Sequence, residues 1–490
     1  MMVTSLPRLR LALLFLCAFG AATPALGRGL RVRPRATRAA TERGAEDRWL
    51  TNLLRGDVAH LATHELAERF PRLSRTNQLR LLHKFGKKQL ALCLKYAQWQ
   101  GIDPQFEVEI PRERTGPEHV RDQEAAGLCW LFSFHAVKES GMVKQDLRQA
   151  DLSETYLNYH AWLSRGEAAL KKISASREPL DVELEDFSDG GYFDTARVLM
   201  ERHGAAPERA MPTTWDARNS DGFIADFKAL MTTAQLAFDE ARGAENKEVV
   251  YRRHRELLVQ LLNGMLGAPP ATFRHEGREY TPARYYEEVV RPASPTEWVL
   301  LSSLPLRGAE WNRRYKVKGS IGEPDFTLTN VETRYMRRAV EETLRQGFAV
   351  WFTTAFAESN PFMVGPQEDA PEGALGLMDP HAFDYRALQH LVPFFALQKG
   401  ARFDAGLATS NHAMTLSGFG NDRRGRQWFK VDNSWGPEMP RGGHLIMSRD
   451  YFDEAVDSVA VPKAVLERVL PEEVLRQIAR ATPTALPGIY

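Results

Sequence analysis

Cysteine is scarce, with three residues in 490, so a scaffold stapled by disulfides is excluded. An excess of either charge is also lacking. Lys and Arg total 64 against 63 for Asp and Glu, a net charge of +1, and nothing in that balance marks a basic nucleic-acid binder. No apolar run is long enough to cross a bilayer core of about 30 Å, so stable membrane insertion is not expected. No Asn-x-Ser/Thr sequon occurs, which fits a bacterial exported protein. Zinc-type ligand spacing is missing too. His60 and His64 lie one helical turn apart beside Glu65, but no further ligand follows, and the pair reads as a solvated helix face. No metal or cofactor is expected. What remains is 43% apolar and 26% charged, an ordinary globular composition that rules out fibrous chains and whole-chain disorder. The length suits about three domains, or one large domain with insertions.

The first residues have the layout of a secretory signal peptide. Arg8 and Arg10 precede an apolar run from Leu11 to Ala22, and Ala25-Leu26-Gly27 supplies the small residues of a cleavage site. Residues 1–27 are therefore expected to be removed from a secreted or periplasmic protein. Residues 28–49 are Arg-rich with almost no large apolar groups, and such a leader cannot bury enough surface to order itself. Two cysteines then remain, Cys93 and Cys129. They either pair in an oxidising compartment or divide into one working thiol and one buried filler.

Leucines recur at helical spacing from Leu50 to about Gln100, and residues 127–140 and 222–266 also read as helices. From about 346 the pattern changes to short strand-like runs, at 348–352, 413–416, 428–431 and 444–447. A helical first half before a strand-rich last third predicts an α+β fold. The expected main domain spans 50–470, with a mainly helical insertion over about 220–345 and a C-terminal arm at 471–490.

The chemistry concentrates around Cys129, at the start of an apolar helix. Unpaired backbone N–H groups and the helix dipole favour an anion there, and a thiolate is the nucleophilic form of cysteine. Such a cysteine is also often no more than a small buried apolar residue. Gln123, six residues upstream, can turn its carboxamide N–H toward the oxyanion of an acyl-transfer intermediate. A thiol needs a base. His412 opens one strand-like run, and Asn433 closes the next, 21 residues later. On neighbouring antiparallel strands the two meet, Asn433 accepting from one ring nitrogen and leaving the other for the thiol. Trp435 can shield that bond from water.

At these residues the chain resembles the papain clan of cysteine peptidases, and within it the bleomycin hydrolase/aminopeptidase C family. The resemblance rests on Gln123 with Leu128-Cys129-Trp130-Leu131-Phe132, on Asp189-Gly190-Gly191, on 281–286, 350–352 and 376–379, and on 412–415, 431–436 and 459–463, in order over roughly 75–470. Small papains place the histidine about 130–150 residues after the cysteine. The gap of 283 here suits the large insertions of this branch. The resemblance implies a papain-like fold with a helical half and an antiparallel β half. It implies Cys129 as nucleophile, His412 as base and acid, Asn433 as its orienter and Gln123 as oxyanion donor. Gly190 and Gly191 would let a peptide backbone approach the cleft wall, and Trp435 and the terminal Tyr490 complete the expected substrate contacts. Members are aminopeptidases whose C-terminal arm lies in the cleft, and they form hexamers. The ending Leu486-Pro487-Gly488-Ile489-Tyr490 departs from the family's small-residue terminus. The expected activity is thus peptide hydrolysis by an aminopeptidase. The alternatives are an endopeptidase with an open cleft and a non-catalytic oligomeric binding protein.

Overall fold

The computed structural model describes residues 48–56, 64–87, 90–91, 93–94, 102–110, 120–145, 151–175, 187–241, 243–355, 376–379, 388, 390–391 and 397–487. The expected signal peptide, the leader as far as residue 47, His60 and Tyr490 lie outside the described residues. The chain divides into two units, with the boundary between Arg55 and Gly56. In the first, residues 48–55 are helical.

In the second unit the first described helices are α1 (His64–Arg69) and α2 (Arg75–Phe85). Ser74 caps α2 by accepting from the Asn77 N–H at 3.3 Å, the usual service of a serine at an N-cap. Strand β1 (Gln105–Glu109) leads to α3 (Cys129–Lys144), α4 (Glu154–Ala175) and α5 (Phe193–His203). Two long helices come next, α6 (Ser220–Glu240) and α7 (Gly243–Leu266). Strands β2 (Trp298–Ser302), β3 (Arg313–Val317) and β4 (Phe326–Asn330) precede α8 (Thr333–Arg345). The last third holds β5 (Val350–Thr354), β6 (Leu377–Met378), β7 (His412–Asn421), β8 (Gln427–Asp432) and β9 (His444–Ser448). It closes with α9 (Arg449–Ala455), β10 (Val456–Pro462), α10 (Lys463–Val469), α11 (Glu472–Arg480) and β11 (Thr484–Ala485).

Among the described residues eleven strands form one sheet in the order β11-β3-β4-β2-β10-β5-β7-β8-β9-β6, with β1 added beside β7. Most neighbours are antiparallel. The central strands read as continuous apolar runs because both faces are covered. Along β5 the faces alternate with period two. Val350 and Phe352 join one core with Met336, Val340 and Leu344 of α8, while Trp351 joins the other with Leu131, Phe134 and Phe193. The sheet is thus the middle of three layers. Helices α3 to α5 lie on one side, and α8 with α9 and α10 on the other.

The expected insertion over about 220–345 holds more helix than strand, in α6, α7 and α8. Its first part forms α6 and α7, but a two-stranded ribbon (Phe273–His275 with Arg278–Tyr280) and then β2, β3 and β4 succeed them, the last three as full members of the main sheet. Residues such as Val299-Leu300-Leu301 are short, apolar and β-branched or leucine-rich. Periodicity alone cannot separate such runs from buried helix, and burial against β10 decides for strand. The C-terminal arm expected over 471–490 has regular structure as far as it is described. It folds as α11 and then pairs Thr484 with Tyr315 in parallel register.

Phe352 is fully buried between β5 and α8. Phe352→Ala leaves a cavity that rigid neighbours on both sides cannot close, and should cost about 3–5 kcal/mol. Urea unfolding of the two proteins measures the difference.

Candidate active site

The nucleophile segment is set by one carboxylate. Asp189 accepts from the Gly127 N–H at 2.5 Å and from the Ser220 hydroxyl, while its own carbonyl accepts from the Trp130 indole N–H at 2.8 Å. A Cβ at Gly127 would sit 2.2 Å from Asp189 Oδ1, so only glycine lets the loop approach this closely. Helix α3 then starts at Cys129, with the Leu128 carbonyl accepting from Leu131 and Phe132 at 2.9 and 3.1 Å. The half-buried sulfur therefore stands in the first turn, where free N–H groups point outward.

His412 is the first residue of β7 and pairs with Thr354 at the end of β5. Its Nε2 lies 2.8 Å from Asn433 Oδ1. The same Oδ1 accepts from the Ser434 N–H at 2.9 Å, which identifies it as the oxygen of the amide. Nε2 must therefore be the donor, and Nδ1 is left as the basic nitrogen. The Trp435 ring lies over the imidazole at 5.2 Å between centroids and an angle of 29°. His412 is buried.

The backbone N–H groups of Ala413, the residue after His412, of Trp130 and of Cys129 itself act on the Cys129 sulfur and favour its thiolate. This brings the first turn of α3 and the first residues of β7 to one point. Burial pushes the Cys129 thiol up to about 11 against the pull of these N–H groups, and Asp189 adds a smaller push. Burial also takes His412 down to about 4 against the opposing bond to Asn433. Each group alone thus resists charging.

Gln123 lies beside this pair. Its N–H donates to the Ser434 carbonyl at 2.8 Å, its Nε2 to the Ala126 carbonyl at 2.6 Å, and its Oε1 accepts from the Ser434 hydroxyl. One amide N–H is spent on Ala126, and the second remains for another acceptor. The two glycines differ. A Cβ at Gly191 would meet the Trp130 ring at 2.7 Å, whereas at Gly190 the nearest atom would be Ser188 Oγ at 3.6 Å. Packing against Trp130 demands glycine at 191, and only 190 presents an open face.

Cys93 and Cys129 are both free, and Cys93 is buried with its thiol pushed up to about 11. Of the two expectations for this pair, the disulfide is set aside in favour of a buried filler and a separate thiol. His135 and His203 serve the core: His135 faces Glu154 at 3.3 Å, and His203 stacks on His160 at 4.0 Å. Three contributors escaped the sequence reading. Asp189 was visible as part of Asp-Gly-Gly and Ser434 as part of Asn-Ser-Trp-Gly, but neither segment says what the polar side chain grips. Ser220 carries no signal at all, since its role depends on α6 docking near the nucleophile loop.

The Peptidase C1-like family model matches residues 64–488. Bleomycin hydrolase of Rattus norvegicus is 26% identical over 464 residues, which covers 88% of this chain and 98% of that protein. Aminopeptidase W of Lactobacillus delbrueckii subsp. lactis is 28% identical over 407 residues, 77% of this chain and 86% of its own. The crystal structure of PepW from Lactobacillus rhamnosis HN001 matches with a TM-score of 0.69 at 18% identity, covering 93% of this chain and 98% of that one. The last likeness is one of fold.

The depressed imidazole has a stability consequence. In a Cys129→Ala background no thiolate shares the proton. Between pH 6.5 and about 4 the unfolded chain then binds a proton at this histidine that the folded chain refuses, so stability falls as pH falls. His412 should account for a loss of about 2 kcal/mol between pH 7 and pH 5. Adding His412→Gln should remove that part of the slope, as read by urea unfolding of both proteins at the two pH values.

Proposed function

We propose that this chain, which belongs to the Peptidase C1-like family, hydrolyses peptide bonds as an aminopeptidase through Cys129, His412 and Asn433. It is a cysteine-type peptidase by family, and the curated relatives it matches are named bleomycin hydrolases and aminopeptidases. The observation that carries the assignment of residues is the 2.8 Å bond from His412 Nε2 to Asn433. It leaves the basic Nδ1 beside the residue whose N–H reaches the Cys129 sulfur.

In this reading Nδ1 of His412 takes the thiol proton as the sulfur attacks the scissile carbonyl carbon. The carbonyl π pair moves to oxygen. That oxyanion accepts from the free amide N–H of Gln123 and, once the sulfur has bonded to carbon, from the Cys129 backbone N–H that had faced the sulfur. The tetrahedral intermediate collapses as the C–N bond breaks, and His412 returns its proton to the departing amine. The thioester left on Cys129 is hydrolysed by water, with His412 again accepting and then returning a proton. Asn433 holds the ring in one tautomer throughout, and Trp435 keeps water from competing for that bond. Gly190 supplies an open wall for substrate backbone. Tyr490 is retained as a proposed substrate contact.

We further propose export, on the strength of the signal-like layout of residues 1–27, and assembly into a homo-oligomer, on the strength of the sequence resemblance. Among the described residues no helix is long and apolar enough to cross a membrane.

Cys129→Ala should abolish turnover of aminoacyl reporters while the circular dichroism spectrum stays unchanged. Turnover that survives in the folded variant ends the catalytic reading. Gln123→Ala should lower kcat about 10²–10³-fold. Peptides with a free N-terminal amine should be cleaved far faster than the same peptides acetylated. Equal rates would transfer the site to an endopeptidase.

A further inference from the structure

A cavity of about 640 Å³ lies among α3, α5, residues 286–299 and the near end of β3. This is within the range of small-molecule sites. It is separate from the Cys129 site. Lys138 stands nine residues beyond Cys129 on α3, or ~13 Å along the helix. The strand end that borders the cavity is Trp298, paired with Pro462, whereas the opposite end, Ser302 and Ser458, is the one that continues through Thr353 to Ala413.

The cavity holds a buried cation short of counter-charge. Lys138 is 7% exposed. Its Nζ donates to Ser294 Oγ at 3.1 Å and lies 5.2 Å from the centroids of both Phe134 and Trp298. An ammonium has three donors, and one hydroxyl and two ring faces do not amount to an anion. Burial pushes Lys138 down to about 8, with Glu201 and Arg197 on α5 acting in opposite directions. The acids that line the cavity are already engaged: Glu201 with Arg197 at 2.9 Å, Glu287 with Arg291 at 2.5 Å, and Glu297 with Lys463 at 2.8 Å. Arg314, half-buried in the same lining, spends two N–H groups on the Ala481 carbonyl at 3.1 and 2.7 Å and makes no ion pair among the described residues. Two cations thus face the cavity without carboxylates of their own, next to the flat face of Trp298.

We infer that this cavity is a second binding site, for a small organic anion: Lys138, with Arg314, holds a carboxylate or phosphate group, and Trp298 receives the apolar body attached to it. The two acid classes share the chemistry that Lys138 recognises. An aryl group suits the indole face, and the cavity is large enough for a ring with one acidic substituent. Nothing in this assignment requires the peptidase reading of the Cys129 site.

The test is calorimetric titration of the full chain with phenylacetate, phenyl phosphate and, as the uncharged control, benzyl alcohol. Saturable binding is expected for at least one of the two anions and not for the alcohol, and the tighter of the two anions identifies the acid class. Lys138→Met keeps the length of the buried stem and should weaken anion binding at least tenfold. Arg314→Gln, at a half-buried position, should weaken it in the same direction and guards against a Lys138 variant that fails to fold. The inference is overturned if neither anion binds saturably, if benzyl alcohol binds as tightly, or if folded Lys138→Met and Arg314→Gln both bind as the parent does. None of these outcomes touches turnover at Cys129, so failure here and failure of the peptidase assignment are read separately.

Discussion

The first turn of α3 has to end over the first residues of β7, and every chemical property of the site depends on that one docking. The helix is apolar on nearly all sides because it is enclosed, with Trp130, Leu131, Phe134 and Val137 all buried in the core beneath the sheet. Apolar burial supplies most of the docking energy but little direction. Direction comes from Asp189, which grips the backbone at Gly127 and the indole of Trp130 from one side. On the other side, Gln123 and Ser434 tie the loop before the cysteine to the loop after β8. With both ties in place, the sulfur has one position relative to Ala413 and His412.

The same burial that positions the pair also opposes its ionisation. Cys129 and His412 are both driven toward neutrality by loss of water. The surroundings answer with fixed dipoles rather than with a counter-ion: the Ala413, Trp130 and Cys129 N–H groups at the sulfur and the Asn433 carboxamide at the ring. Dipoles held in place cost no reorganisation when charge appears, which is why a dry site can still carry charge during a reaction. Asp189 contributes an opposing push on the thiol, so its service is to position the loop and not to activate the sulfur.

The large elements between the two halves of the site are part of its support. Ser220, at the start of α6, donates to the carboxylate that holds Gly127. Arg165 of α4 bridges Glu323 and the Gly190 carbonyl, so the open wall at 190 is braced by the segment before β4. Strands β2 to β4 extend the sheet past β10, and the cavity lined by Lys138 lies where that extension meets α3 and α5.

Much of this was legible in the residues alone. The start of α3 and the strand runs that became β5, β7, β8 and β9 follow from local rules, which also single out Cys129, His412, Asn433 and Gln123 as candidates. Side-chain periodicity, turn residues and the chemistry that a nucleophile demands all act over a few positions. The strand order, the recruitment of 298–330 into the main sheet, the pinning by Asp189 and Ser220, and the meeting of residue 129 with residue 413 were decided only in three dimensions. They depend on which apolar faces find one another across hundreds of residues, and short-range propensity carries no information about that choice. A run such as Val299-Leu300-Leu301 suits a buried helix or a buried strand equally well, until a neighbour such as β10 offers it a ladder of hydrogen bonds.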